Sequence, residues 1–112
     1  MPRTFCVYIL TNRRRTLYIG ITANIHRRMQ QHLAGKGSAF VGKYRLHKLV
    51  YVETSAMVVD AIAREKELKG WVRSRKIALI EAMNPGWTDL AEEWGWRSSV
   101  VPLPSGPSLR SG

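Results

Sequence analysis

The chain has 112 residues, 45% of them apolar, which fits one domain around one core. Lys and Arg outnumber Asp and Glu 18 to 8, a formal charge of +10, and so strong a basic balance favours a polyanionic partner. The cations are spread over several elements instead of one long amphipathic helix, and no window approaches the roughly 20 apolar residues of a bilayer span; nucleic acid is therefore expected ahead of a membrane. Cys6 is the only cysteine, which excludes an intrachain disulfide.

FCVYIL (Phe5 to Leu10) and LYIGI (Leu17 to Ile21) read as two strands of a hairpin. A turn near Arg13 would set Tyr8 opposite Tyr18, with both rings on one sheet face. The Arg13-Arg14-Arg15 run lies in the connecting loop, either solvated or touching a nucleic-acid backbone. Asn24 can cap a helix to about Ala34, whose Ile25, Met29 and Leu33 form an apolar stripe, with Gly35 and Gly37 ending it. Arg28 and His32, four apart, line one edge of that stripe. They suit a phosphate, or else they are a solvated helix edge.

GKGSAFVGKYRLHK reads as a flexible basic segment. Its Lys36, Lys43, Arg45 and Lys48 can neutralise phosphates while Phe40 and Tyr44 stack on bases, unless those rings only anchor the loop. LVYVE (Leu49 to Glu53) is a third strand. Helices follow from about Ser55 to Trp71 and from about Val72 to Met83, before the break at Asn84-Pro85-Gly86. On the first of these, Val58, Ala61, Ile62, Leu68 and Val72 define a core stripe with Glu65 in its middle. A carboxylate there needs an ion pair, a metal or several donors. A short helix from Thr88 to Trp94 is expected to fold back so that Trp87, Leu90 and Trp94 gain cover. The domain thus spans 1–96. Residues 97–112, rich in Pro, Ser and Gly, form a tail too poor in apolar surface to order; it holds Arg97 and Arg110, which leaves +8 on the rest.

Cys6-Val7-Tyr8, Tyr18-Ile19-Gly20, NIHRRMQQH and AREKELKGW occur in this order, and together they resemble the GIY-YIG nucleases over residues 4 to about 90. The resemblance implies an α/β (α+β) fold, a small three-stranded antiparallel sheet flanked by helices. It implies that Tyr8 and Tyr18 are paired active-site tyrosines, that Gly20 lets the backbone pass close to the site, and that Arg28, ten residues after Tyr18, is the catalytic arginine. Arg27 is then left to general phosphate attraction. It further implies that His32 relays a proton or fixes a phosphate, that Glu65 binds one Mg²⁺ or Mn²⁺, and that Asn84 is a structural residue of the site. Cys6 replaces the glycine of the first motif, and Ile21 stands where some members carry a lysine.

One hard divalent cation can be held by a single carboxylate with water and phosphate oxygens, while a tyrosine hydroxyl, Tyr8 before Tyr18, helps deprotonate the attacking water. The histidines His26, His32 and His47 lack zinc-ligand spacing. A metal-dependent endonuclease is expected, acting on DNA ahead of RNA, with specificity supplied by a partner protein. The alternatives are a non-catalytic nucleic-acid-binding module of the same fold and a basic adaptor indifferent to metal. The cytoplasm is the expected location, because the N-terminal residues lack a signal peptide's apolar stretch.

Overall fold

The computed structural model describes residues 4–96; the tail expected at 97–112 lies outside them. Three strands, β1 (Phe5–Thr11), β2 (Leu17–Thr22) and β3 (Lys48–Ser55), form an antiparallel sheet in the order β2-β1-β3. Around it lie α1 (Ile25–Leu33), α2 (Ala39–Tyr44), α3 (Val58–Gly70), α4 (Arg73–Met83) and α5 (Leu90–Glu93). The expected α+β architecture is therefore the observed one. None of these helices is long and apolar enough to cross a membrane.

The pleat divides the strands between two cores. Tyr8, Leu10 and Leu49 point to one face, where Met29 of α1, Val41 of α2, Leu46 just beyond α2, and Leu90 and Ala91 of α5 cover them. Val7, Ile9, Ile19 and Tyr51 point to the other, against Ala61 and Leu68 of α3, Ile80 of α4 and Trp87. A bulge between Ile9 and Leu10 leaves Val50 unpaired on this second side, the local irregularity by which two residues oppose one. Strand β1 is apolar on both faces because it is central and covered on both sides.

Several expectations change in detail. The hairpin register pairs Tyr8 with Gly20 and Leu10 with Tyr18, two residues from the expected pairing of the tyrosines with each other. The loop, pinned by Asn12 Oδ1 accepting from the Arg14 and Thr16 amides, is centred on Arg14, one residue beyond the expected turn. A shift of two preserves side-chain parity, so both tyrosines keep a common face.

The segment read as flexible contains α2, capped by Ser38 accepting from the Phe40 amide and stopped by Arg45 at φ 54°. Val41 and Leu46 bury completely against the sheet, and that burial offsets the poor helix propensity of Gly42. On α3 the stripe is narrower than expected: Ala61 and Leu68 are buried, whereas Val58, Ile62 and Val72 are exposed. In α1 the buried pair is Met29 and His32, with Leu33 half-buried. Trp87 is buried, but Trp94 stays 43% exposed and packs edge-on against Trp96.

Candidate active site at an open sheet edge

Tyr8 starts in the central strand, and its ring lies across Gly20 of the edge strand β2. A Cβ at position 20 would stand 2.5 Å from both Tyr8 Cζ and Tyr8 Oη. Glycine is thus needed for side-chain clearance, so that the hydroxyl of a fully buried tyrosine can reach the margin of the sheet. Tyr18 stands beside Tyr8, ring centroids 6.4 Å apart.

The side chains of α1 meet these rings from above. Asn24 caps the helix by accepting from the Arg27 amide at 3.0 Å. One turn on, Arg28 is half-buried and reaches the Tyr8 hydroxyl, while Arg27 is exposed. His32, 2% exposed, has Nε2 3.1 Å from the Tyr8 hydroxyl and its ring 6.2 Å from that of Tyr18. His32 is deeper than a helix edge because Gly37 gives it room: a Cβ there would collide with the imidazole.

Burial, first of all, and then the neighbouring Tyr18 push the Tyr8 phenol up to about 12, while Arg28 pulls it back and Glu65 adds to the rise. Burial and the Arg28 charge hold His32 down to about 4. At neutral pH the pair is a neutral phenol against a neutral imidazole. In the tautomer protonated on Nδ1, Nε2 accepts the Tyr8 proton.

Glu65 comes from the other face. Helix α3 packs over the second core and against β1 and β2, and because β2 is an edge strand, Glu65 lies near enough to Tyr8 to raise its pKa. Its side chain is 15% exposed, with Oε2 3.1 Å from Lys69 Nζ. Of the two readings of this stripe carboxylate, the ion pair is present, with Lys69 as its partner. Among the described residues no three His, Cys, Asp or Glu side chains cluster as a metal cage. One carboxylate at an open edge suits a cation that keeps water and phosphate oxygens as its other ligands.

The remaining sequence candidates divide. Lys43, Arg45 and Lys48, with Arg13, Arg14 and His47, line an open groove of about 1250 Å³ at the hairpin end of the sheet. Arg15 turns away, its guanidinium 4.2 Å from the centre of the Trp87 ring and its carbonyl accepting from Arg73. Lys36 is exposed and lines neither this groove nor the smaller pocket beside Tyr18.

Phe40 stacks on Tyr18, centroids 6.1 Å apart, and Tyr44 packs on Phe40 at 4.6 Å; both are about two-fifths exposed. Asn84 is buried and works at the far side of β3, donating to the Val50 and Thr88 carbonyls and accepting from the Thr88 amide. Sequence reasoning missed Lys69 and Lys76, which line the pocket beside Tyr18. The signal available was their spacing, Lys69 one turn after Glu65 and Lys76 seven further on.

Residues 4–78 match the GIY-YIG catalytic domain. Over 75 residues the chain is 37% identical to a UPF0213 protein of Staphylococcus haemolyticus, covering 67% of this chain and 92% of that protein. Over 80 residues it is 39% identical to a UPF0213 protein of Syntrophus aciditrophicus, covering 70% and 91%. Its fold is similar to the solution NMR structure of the UPF0213 protein BH0048 from Bacillus halodurans, with a TM-score of 0.53 and 25% identity over 80% of this chain and 95% of that one.

Proposed function

This chain belongs to the GIY-YIG family, and from that premise we propose that it is a divalent-metal-dependent endonuclease that hydrolyses phosphodiester bonds in nucleic acid, DNA in preference to RNA. The observation that carries the reading is the cluster of Tyr8, Tyr18, Arg28 and His32 around Gly20, with Glu65 on α3 near enough to add to the rise in the Tyr8 pKa. A pure binding surface needs cations on a groove. It does not need a buried phenol hydrogen-bonded to a buried imidazole, with a carboxylate alongside.

In this reading the Tyr8 oxygen takes the proton of the attacking water as its own proton passes to His32 Nε2. The new P–O bond displaces the leaving oxygen, which takes up a proton from solvent, and His32 returns its proton to solvent because burial and Arg28 oppose a lasting imidazolium. Arg28 stabilises charge developing on the phosphoryl oxygens. Glu65 holds one Mg²⁺ or Mn²⁺, which when bound supplies Lewis-acid stabilisation of the same charge. Tyr18 packs the relay from its open side and meets the phosphate. Phe40 and the groove cations Arg13, Arg14, Lys43, Arg45 and Lys48 hold the rest of the strand. A partner protein supplies sequence or structure selectivity, and the cytoplasm is the working compartment.

The test is cleavage of end-labelled DNA and RNA oligonucleotides with Mg²⁺, with Mn²⁺ and with chelator, for the wild type and Glu65→Gln. Cleavage that needs metal and vanishes in the folded variant supports the reading. Metal-independent cleavage overturns the metal dependence and the role given to Glu65, and no cleavage on any substrate overturns the reading in favour of the non-catalytic module.

A further inference from the structure

Lys69 has two neighbours of different kinds. Its ammonium is 3.1 Å from Glu65 Oε2, one helical turn back on the same face. It also lines a pocket of about 300 Å³, together with Tyr18, Phe40 and Lys76. The side chain is 54% exposed against 15% for Glu65, so the lysine has solvent space to turn into while the carboxylate is largely enclosed. Two ammonium groups facing a stacked pair of rings match a ligand that carries both phosphate and a planar base, and hence a nucleotide.

Resting on the function proposed above, we propose that this pocket seats a nucleotide flanking the scissile phosphate and that Lys69 changes partner as it fills. In the free protein Lys69 is the counter-ion of Glu65. With nucleotide bound, its ammonium joins Lys76 on the phosphate and leaves the carboxylate to the divalent cation. A divalent ion and an ammonium on one carboxylate repel each other, so nucleotide and metal binding become coupled, each strengthening the other by the same factor. Lys69 is then a positioning residue that keeps the metal site weak until substrate is present.

The experiment titrates Mn²⁺ into the full chain by calorimetry, without nucleic acid and then with thymidine 3′,5′-bisphosphate. It compares the wild type with Lys69→Met, Lys76→Met and Glu65→Gln. Lys69 itself is 54% exposed and a helix-surface ion pair contributes little to folding, so Lys69→Met should melt close to wild type. It should bind Mn²⁺ alone on the order of 5- to 10-fold more tightly, the low end of ordinary coupling between sites, and the bisphosphate should then strengthen Mn²⁺ binding less than it does in wild type. Lys76→Met should leave nucleotide-free Mn²⁺ affinity unchanged and weaken the bisphosphate.

Equal or weaker Mn²⁺ binding by Lys69→Met overturns the exchange of partners, and unchanged bisphosphate binding in both lysine variants overturns the pocket. Loss of Mn²⁺ binding in Glu65→Gln alongside either result leaves the proposed function standing. Unchanged Mn²⁺ binding in Glu65→Gln instead removes the metal assignment, and this inference with it.

Discussion

Gly20→Ala is the smallest substitution that strikes the site at its geometric premise. The added methyl would lie 2.5 Å from Tyr8 Cζ and Tyr8 Oη and 2.9 Å from Tyr8 Cε1, against the roughly 3.5–4.0 Å of carbon atoms in contact. Tyr8 is 0% exposed among Leu10, Met29 and Leu49, so its ring has no free space to retreat into. Overpacking of this kind costs about 1–3 kcal/mol, and in a domain of this size each kcal/mol lowers the melting temperature by roughly 4–8 °C. Moving the ring also breaks the 3.1 Å contact of its hydroxyl with His32, so turnover should fall even where the variant remains folded. Gly42→Ala is the control: nothing lies within 4 Å of that position, it sits in a helix, and alanine there should be neutral or stabilising by up to about 1 kcal/mol. Urea unfolding and single-turnover cleavage below the transition read both effects. A Gly20→Ala protein as stable and as active as wild type would refute the packing argument and the role given to the Tyr8 hydroxyl.

Three further outcomes follow from the same geometry. His32 is buried and held down to about 4 from an ordinary 6.5, so between those values the unfolded chain binds a proton that the native chain does not. Stability should therefore fall by about 3 kcal/mol as pH drops from 7 to 4, seen in urea midpoints, and a His32→Gln variant that keeps the full slope would count against it. Arg28→Ala should lower single-turnover cleavage about 10²- to 10³-fold with little change in binding, whereas exposed Arg27 should show a mild loss of binding only; equal losses of turnover would remove the assignment of Arg28. Nucleic-acid affinity should drop steeply with salt, and alanine at Lys43 and Arg45 in the groove should each reduce the logarithmic salt slope by about 0.7–0.9, with an unchanged slope as the contrary result.

Much of the fold is legible in local pattern. The short continuous apolar runs around Tyr8 and Tyr18 are separated by a polar loop, and Asn24, the first-helix stripe and the Asn84-Pro85-Gly86 break place their boundaries within a few residues of those observed. Register was out of reach because it depends on the loop: Asn12 gathers the Arg14 and Thr16 amides and donates to the Tyr44 carbonyl, contacts that no propensity encodes. Helix α2 was hidden for a related reason. Its glycine and lysine read as part of a solvated stretch, and only the sheet supplies the partners that bury Val41 and Leu46.

The site itself follows a rule that sequence spacing cannot express. A sheet separates its two faces, so a carboxylate above one face meets a tyrosine below the other only where the sheet ends. That requires the tyrosine to reach past the edge strand, and an edge residue with a side chain would block it. Tyr8, Gly20 and Glu65 satisfy the three conditions together: a long side chain on the central strand, no side chain opposite it on the edge strand, and a carboxylate on the helix that overhangs that edge. Each alone has an ordinary explanation as a core aromatic, a strand glycine or a helix ion pair. The pairing of Tyr8 with Gly20 is what makes them one site. A glycine moved by one position along β2 would face the other core, leaving Tyr8 walled in by a side chain and Glu65 with Lys69 as its sole neighbour of consequence.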